Sequence, residues 1–450
     1  MPLNVAELQP VLYDLFHDTA DQLARDAGFC RRARKLTGPV FAQALVFSLL
    51  EDADAALDDF ADTAEELLHD TVSPQAFDKR FSPAAADFLR DLFLEVFNYS
   101  FNSLRPALLP VLHRFRGVFL RDATSVSLPA RLAALFPGRG GRHVPHGQAA
   151  AAKLVFEAEV TTGELTEVSV LAGLDNERTA EVAGKPLPAG ALLLEDLGFF
   201  CGERLQTYIE QGVYVLSRVP AWTAFFDEHG RRLDLLKELR RATGHTLDRR
   251  IRILHGSKVL VRLLAVRVPA EEADQRRERV RREAQQRGRP VSQKKLDLCE
   301  WNLLVTNAPP ELLARWEAHV VRRVRWQIEL VFKVFKSEGQ IDRTRSRCPY
   351  RVLCELYAKL LGMVVQHWTL LAAGYVMLRH SARRASRRVR RRAKQLLQGV
   401  RCAATLLREV LRLAEVLHRR CRIKRSKTTP TTLDRLLELD PQYEPLGNVA

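Results

Sequence analysis

The sequence predicts an α/β protein with helical ends and a strand-rich insertion in its second half. Apolar residues recur at helical spacing up to about residue 105, and helical spacing returns after residue 309. Between these regions, short apolar runs alternate with helical patterns. The predicted regions are a helical N-terminal region (1–105), the first part of a core (106–219), a β-rich insertion (220–308), the second part of the core (309–378), and a basic helical C-terminal region with a tail (379–450).

The first part of the core contains five strand-like runs. Two of them flank the sequence Thr-Thr-Gly-Glu, which predicts a hairpin with its turn at Gly163. Two others are apolar and end in an acid, which predicts buried strands with Asp122 and Asp196 at their ends. The runs are 116–122, 153–160, 165–172, 191–196 and 213–219.

The insertion and the helices after it have their own patterns. Alternating residues predict two strands around a turn at Gly256, followed by a highly charged helix and a final strand. Two long helices then complete the core, and the second has a strong apolar stripe. The charged helix is predicted at 271–287, the strand at 303–307, and the long helices at 310–337 and 352–378.

The chain is strongly basic, with a formal net charge of +16 and an isoelectric point of about 9.8. Such an excess indicates a polyanionic partner, with nucleic acid ahead of a membrane surface. Residues 51–70 hold nine acids and no Lys or Arg, whereas residues 379–394 hold nine basic residues and no acid. A solvated helix face explains each run alone, but the asymmetry between the two ends favours nucleic acid.

Composition also indicates the cellular compartment. No apolar run reaches the roughly 18 residues that a membrane-spanning helix needs, and the first 20 residues do not resemble an export signal. The seven cysteines are scattered without a Cys-x-x-Cys pair, which argues against a zinc ribbon and a disulfide framework. We therefore expect a cytoplasmic, nucleoid-associated protein with no membrane partner.

Acids at the ends of apolar strands are unusual, because an isolated carboxylate costs several kcal/mol to bury. Asp122 and Asp196 both have this position. Strand-end acids can simply meet solvent or cap the next element, and for either residue alone that explanation is the simpler one. Sites for Mg²⁺ also use hard oxygen ligands fixed on rigid strands.

A third acid, Glu329, lies on a helix whose charged residues share one face. Arginines and lysines occur at helical spacing before and after it, while apolar residues occupy the opposite side. Such a stripe can be an ordinary set of helix ion pairs. It can also deliver a carboxylate to a metal, with cations on both sides that bind phosphates. The stripe consists of Arg322, Arg325, Glu329, Lys333 and Lys336.

These motifs together resemble the insertion-sequence-four group of bacterial DDE transposases. Arg325, Glu329 and Lys336 match the last three positions of the group's Tyr-x2-Arg-x3-Glu-x6-Lys signature, and the sequences around Asp122 and Asp196 resemble its first two acid motifs. Asp196 follows Asp122 by 74 residues, and Glu329 follows Asp196 by 133. In this group the long second gap holds a β-rich domain inserted into a ribonuclease-H-like fold.

The resemblance implies a DNA transposase that moves an element by a cut-and-paste route. It implies two divalent ions, Mg²⁺ or Mn²⁺, held by Asp122, Asp196 and Glu329. Its partners would be double-stranded DNA, both transposon ends and target, and a second copy of the chain on paired ends. The helical N-terminal and basic C-terminal regions would supply end recognition and subunit pairing. Arg325, Lys333 and Lys336 would position the phosphates of the transposon end, and we add Arg322 as a further candidate for DNA binding.

The sequence departs from the signature at one position, and two alternative functions stay open. Its tyrosine falls at position 322, where this chain has Arg322. Arginine can bind a phosphate but offers no phenolic hydroxyl. The alternatives are a transposase-derived DNA-binding protein without catalysis and a ribonuclease-H-like nuclease that does not join strands. His143 and His146 have metal-like spacing, but no third ligand is close in sequence, so we predict a surface loop there.

Overall fold

The protein is described by a computed structural model, which places most of the chain. The described residues are 3–31, 35–107, 109–140, 149–176, 186–199, 201–220, 223–242, 245–253, 259–288, 290–424 and 430–439. The predicted turn at Gly256, the pair His143 and His146, and much of the predicted tail lie outside them. No helix in the described part of the chain is long and apolar enough to cross a membrane.

Helices form the N-terminal region, as the spacing of its apolar residues predicts. Ser73 and Ser82 each accept a capping hydrogen bond and are each followed by a proline, a pairing that favours a helix start. The helices are α1 (Val5–Asp14), α2 (Ala20–Asp26), α3 (Gly38–Glu51), α4 (Leu57–Leu68), α5 (Pro74–Asp78) and α6 (Pro83–Glu95). The short α7 (Pro110–His113) leads into the sheet.

The described strands form one mixed sheet. They are β1 (Val118–Leu128), β2 (Ala150–Glu159), β3 (Leu165–Ala172), β4 (Leu192–Glu195), β5 (Tyr214–Arg218), β6 (Phe225–Phe226), β7 (Arg232–Leu233), β8 (Thr246–Ile253), β9 (Val259–Arg267) and β10 (Trp301–Thr306). Their order is β3-β2-β1-β4-β5-β10-β9-β8-β6-β7. β2 is antiparallel to β1 and β3, whereas β1, β4 and β5 are mutually parallel. The α/β class is confirmed.

The central strands are buried on both faces. In β4, Leu192 and Leu194 belong to the large core shared with the helices, whereas Leu193 belongs to a second core on the other face. Successive side chains of a strand point to opposite faces, so a strand between two cores has no polar side. This explains the apolar run Leu192–Leu194 in β4, which only Glu195 separates from Asp196. The helix α8 (Gly202–Glu210) connects β4 to β5.

Asp122 does not end its strand, which corrects the sequence-based expectation. β1 continues to Leu128 because β2 pairs with it from Phe119 to Leu128, whereas β4 pairs only with Val118 to Leu120. Asp122 therefore lies in the middle of β1 but beyond the last residue paired to β4. Asp196 does follow the last residue of its strand, as predicted.

The segment 220–308 contributes five strands and three helices to the described structure. β10 hydrogen-bonds to β5 on one side and β9 on the other, both antiparallel, so these strands extend the core sheet. The assignment of this segment as a β-rich insertion in the core stays a prediction. Its helices are α9 (Leu235–Arg241), α10 (Ala270–Gln286) and α11 (Gln293–Asp297).

The helix predicted at 310–337 is divided in two. α12 (Arg315–Val321) and α13 (Trp326–Ser337) are joined by a tighter 3₁₀ turn at Arg322–Arg325. α14 (Pro349–Ala372) follows; it starts earlier and ends earlier than predicted and packs against α3 and α6. The remaining helices are α15 (Ala382–Arg390), α16 (Ala393–Arg401), α17 (Ala403–Val416) and α18 (Thr432–Leu437).

Candidate active site

Asp122 and Asp196 lie side by side because their strands are parallel neighbours. Leu120 of β1 pairs with Leu194 of β4, and each aspartate is two residues further along. Residues two apart in a strand share a face, so both carboxyls project to the same side at the same height. The sheet thus brings together two acids that are 74 residues apart in sequence.

Glu329 reaches these aspartates on α13. The apolar side of α13 is buried against the sheet: the rings of Phe332 and Phe335 lie 5.0 and 4.8 Å from the ring of Phe156 in β2. Ile328 is fully buried on the same side. This packing turns the polar side of the first helical turn, with Glu329, toward β1.

The guanidinium of Arg325 contacts all three acids. Its Nη1 donates to Asp122 Oδ2 at 2.5 Å, its Nη2 donates to Glu329 Oε1, and its Nε lies 4.0 Å from Asp196 Oδ1. The Arg325 side chain is only 8% exposed. The three acids and Arg325 therefore form one cluster, in which Arg325 holds the carboxyls near one another.

Arg322 joins the same cluster through Asp196. Its Nη2 donates to Asp196 Oδ1 at 3.2 Å, and its side chain is 11% exposed. The tight 3₁₀ turn places Arg322 and Arg325 on the same side of the chain, one turn apart. Arg322 is thus a partner of an acid in this structure and not an open surface cation.

Burial governs the protonation of this cluster. Burial raises the pKa of Asp122 to about 6; Arg325 opposes this, and the charges of Asp196 and Glu329 add to it. Burial, reinforced by the neighbouring Arg325, lowers the pKa of Arg322 to about 10. Three acids face two arginines, so additional positive charge at this cluster would stabilise the ionised form of Asp122.

The donor chemistry of the cluster suits a hard divalent cation, because carboxylate oxygens are the ligands that Mg²⁺ prefers. Among the described residues, however, no group of three or more metal-ligating side chains is arranged to hold an ion. Arg325 lies among the three carboxyls and bonds two of them. The residues present therefore fit such an ion chemically, while the arrangement shown is one in which a guanidinium holds the acids.

Lys333 and Lys336 lie further along α13, beyond the acids. The Lys333 ammonium lies 4.3 Å from the centre of the exposed Trp326 ring, a cation–π contact. Lys336 Nζ donates to the carbonyl of Ser125 in β1 at 2.7 Å. Neither lysine contacts an acid of the cluster. Lys333 is exposed, whereas burial lowers the pKa of Lys336.

A second charged cluster lies behind the first, and sequence reasoning missed it. Arg121 donates to Glu157 at 2.5 Å and to Glu195 at 3.2 Å, and it also bonds the hydroxyl of Tyr208. Arg121 and Glu195 immediately precede Asp122 and Asp196, so they project to the opposite face of the sheet. Charged residues inside apolar strands, one before each acid, were the available signal.

Comparisons with known proteins point to one family. The family profile described as "Transposase DDE domain" matches residues 113–364. The transposase for insertion sequence element IS231F of Bacillus thuringiensis subsp. israelensis is 25% identical over 405 residues, covering 84% of this chain and 84% of the relative. The transposase for insertion sequence element IS1151 of Clostridium perfringens is 24% identical over 378 residues, covering 80% and 79%.

The comparison with solved structures includes a distant match. It is a cryo-EM structure of the piggyBac transposase synaptic complex with hairpin DNA. The TM-score is 0.45 at 9% sequence identity, and the similarity covers 91% of this chain and 84% of that chain.

Proposed function

Because the chain belongs to the transposase DDE domain family, we propose that Asp122, Asp196 and Glu329 are its catalytic acids. The chain is a DNA transposase similar to those of bacterial insertion sequences, an enzyme that cleaves and joins DNA strands. The observation that carries the assignment is that these three acids, distant in sequence, all contact the guanidinium of Arg325. The fold thus gathers them at one point.

The proposed cofactor is a pair of divalent ions, Mg²⁺ or Mn²⁺, held by the same three carboxylates. When bound, such ions supply activation of the attacking hydroxyl and stabilisation of the leaving oxygen in an in-line displacement. The chain's part is to hold the three carboxyls close together, on β1, at the end of β4 and on α13. Arg325 and Arg322 keep the acids together and neutralise part of their charge until the ions supply the rest.

The cations of the site would also position DNA. We assign the contacts to the phosphates of the transposon end to Arg325, Lys333 and Lys336, with Arg322 as a fourth candidate. Lys333 is exposed on the same helix face as Glu329, four residues further on, so it can reach a strand that enters the site. Lys336 is anchored to the carbonyl of Ser125 in β1, the same strand that carries Asp122.

Two further assignments belong to the same proposal. We assign β1 to β5 to a ribonuclease-H-like core, because three antiparallel strands are followed by two strands parallel to the first. We also propose a homodimer that pairs two transposon ends for cut-and-paste movement. The terminal helical regions would provide pairing and end recognition.

The two rival functions make different predictions. A transposase-derived DNA-binding protein without catalysis would not need three acids held together, and this chain holds them around one arginine. A ribonuclease-H-like nuclease would cleave but not join. Strand transfer to a target duplex therefore separates the proposed function from both alternatives.

The experiment uses the full chain, Mg²⁺ and a duplex carrying the element's own terminal repeats. We expect cleavage at the repeat and joining to a target, and loss of both in Asp122→Ala, Asp196→Ala and Glu329→Ala while repeat binding persists. Glu278→Ala is the matched control, because Glu278 is an exposed acid on α10. Cleavage that survives in the three variants would refute the assignment, and so would simultaneous loss of binding and cleavage.

A further inference from the structure

A groove in the C-terminal helical region is lined mainly by arginines. It has a volume of about 280 Å³ and lies between the end of α15, the start of α16 and the last turn of α17. Its lining residues are Arg388, Arg391, Arg392, Gln395, Arg412 and Val416. We call it the arginine groove. Four guanidinium groups facing one small space make it a strongly electropositive feature.

Two of the four arginines are held in place by a buried acid. Glu409 is 2% exposed and accepts hydrogen bonds from Arg392 and, at 2.8 Å, from Arg412. Among the described residues, the ion pairs at the groove are those of Arg392 and Arg412 with Glu409, and neither Arg388 nor Arg391 takes part in one. Four arginines against one glutamate leave three positive charges uncompensated at the arginine groove. Like charges held this close favour binding of an anion.

The helix α15 is also fixed to the end of α13, the helix that carries Glu329. Glu338 immediately follows α13 and accepts from Arg383 at 2.8 Å and from Arg387 at 2.9 Å. Arg390 bonds the backbone carbonyl of Glu338. These three arginines are four and three residues apart, so they form one stripe of α15. Arg388 belongs to a different stripe and is left to line the groove.

We propose that the arginine groove binds the phosphodiester backbone of double-stranded DNA at a place separate from the three acids. This inference rests on the proposed function, since it supposes that the chain acts on DNA. The guanidinium fork matches phosphate oxygens in two parallel hydrogen bonds, and adjacent arginines can follow successive phosphates. Because α15 is tied to α13 through Glu338, DNA in the groove is held at a fixed position relative to Glu329.

DNA is favoured over an acidic protein surface by the charge distribution of the chain. The acidic run at residues 51–70 already meets this region within the same chain: Lys394 lies 3.8 Å from Glu66, and Arg390 donates to the carbonyl of Glu51 at 3.3 Å. Those contacts use Lys394 and Arg390, neither of which lines the groove, so they do not compensate the charge of the groove arginines. The groove therefore needs an anion from outside, and the net charge of +16 suits a polyanion.

The test compares the full chain with the variant Arg388→Ala/Arg391→Ala, which breaks no described ion pair and places good helix formers at the end of α15. The probe is a labelled duplex of unrelated sequence, and affinity is measured over a range of salt concentrations. Two lost phosphate contacts should lower the log–log salt slope by about 1.8, at roughly 0.9 for each phosphate. An unchanged slope would overturn the proposal.

Two controls separate a specific groove from net charge. Arg388→Lys/Arg391→Lys keeps the charge and should keep most of the slope. Arg281→Ala/Arg282→Ala removes two exposed charges from α10 and should change the slope by much less. Equal losses in the two alanine pairs would mean that only net charge matters, which would also overturn the proposal. Loss of self-association with unchanged DNA binding would show that the groove takes a protein surface instead.

The failure of this inference can be told from the failure of the proposed function. The arginine groove lies apart from the acids, so saturating DNA at low salt should restore cleavage in Arg388→Ala/Arg391→Ala to the rate of the unaltered chain. If the unaltered chain does not cleave, the proposed chemistry is wrong, but the slope comparison still decides the groove. If cleavage is intact and the slopes are equal, only the groove is wrong.

Discussion

Arg121 and Glu195 form a 3.2 Å ion pair directly behind the two aspartates of the site. Each precedes its aspartate by one residue, so the pair joins β1 to β4 on one face of the sheet while Asp122 and Asp196 lie on the other. Burial raises the pKa of Glu195, although Arg121 opposes it. The pair therefore helps to hold β1 and β4 in the register that places the two aspartates side by side.

We predict that Arg121→Met destabilises the fold by about 3–5 kcal/mol, because Glu157 and Glu195 are left buried without their cation. The measurement is urea unfolding at neutral pH. Replacing all three charged groups by apolar residues of similar size should recover most of the loss. If Arg121→Met unfolds at the same urea concentration as the unaltered chain, the pair contributes little to the free energy of unfolding.

Glu167 in β3 gives the fold a pH dependence. Burial raises its pKa from 4.5 to about 7; Ser169 opposes this, and the nearby Glu157 adds to it. Between these two pH values the folded chain binds more protons than the unfolded chain, so stability falls as the pH rises. The stabilising contribution of protonated Glu167 is fully present below about pH 4.5 and is lost as the pH rises through about 7.

Glu167→Gln should therefore be more stable than the unaltered chain at about pH 8 and similar to it at about pH 4.5. The expected gain in the free energy of unfolding at the higher pH is on the order of 1–2 kcal/mol, because solvent screens part of the charge. Urea unfolding at the two pH values measures it. An equal difference at both would mean that the carboxyl's ionisation is not the cause.

Arg325 is predicted to compete with divalent ions for the acids. In Arg325→Ala the three carboxyls lose their shared partner, so the metal-free protein should melt at a lower temperature. Added Mn²⁺ should then raise the melting temperature more than it does in the unaltered chain, because binding to the folded state stabilises it. Thermal unfolding with and without Mn²⁺ measures both effects. If Mn²⁺ does not raise the melting temperature of Arg325→Ala, a metal role for this cluster is contradicted.

Arg322 is predicted to bind a phosphate of the entering DNA strand, although it contacts Asp196 in this structure. If so, Arg322→Ala lowers the salt slope of DNA binding by about 0.9, and Arg322→Lys keeps much of it. The measurement is the same salt titration with a terminal-repeat duplex. An unchanged slope in the alanine variant would leave Arg322 as a partner of Asp196 alone.

Local patterns predicted much of the fold, because they reflect burial along each element. The apolar run before Asp196 and the apolar side of α13 around Ile328 are two examples, and both are buried as expected. The extent of β1 was missed because its length depends on pairing with β2, which the residues near Asp122 do not reveal. The available signal was the alternation of apolar and polar residues after Asp122, with Val126 and Leu128 as the apolar positions.

The site was predicted in part for the same reason. Helical spacing placed Arg325 and Glu329 on one face, but the contact of Arg325 with Asp122 joins residues 203 positions apart. Helical spacing shows which residues of one helix share a face, but it does not show which distant residue that face contacts. The 3₁₀ turn at Arg322–Arg325 contains no glycine or proline, so nothing local marked the break between α12 and α13.

The neighbouring positions of β5 and β10 have a consequence for how this chain can vary in length. Arg218 of β5 pairs with Leu304 of β10, so the polypeptide leaves the core and returns to it one strand spacing apart, roughly 5 Å. Joining two such close points costs little more free energy for a long excursion than for a shorter one. Additions or deletions between them can therefore reshape that side of the molecule over evolutionary time without moving Glu329 relative to Asp122 and Asp196.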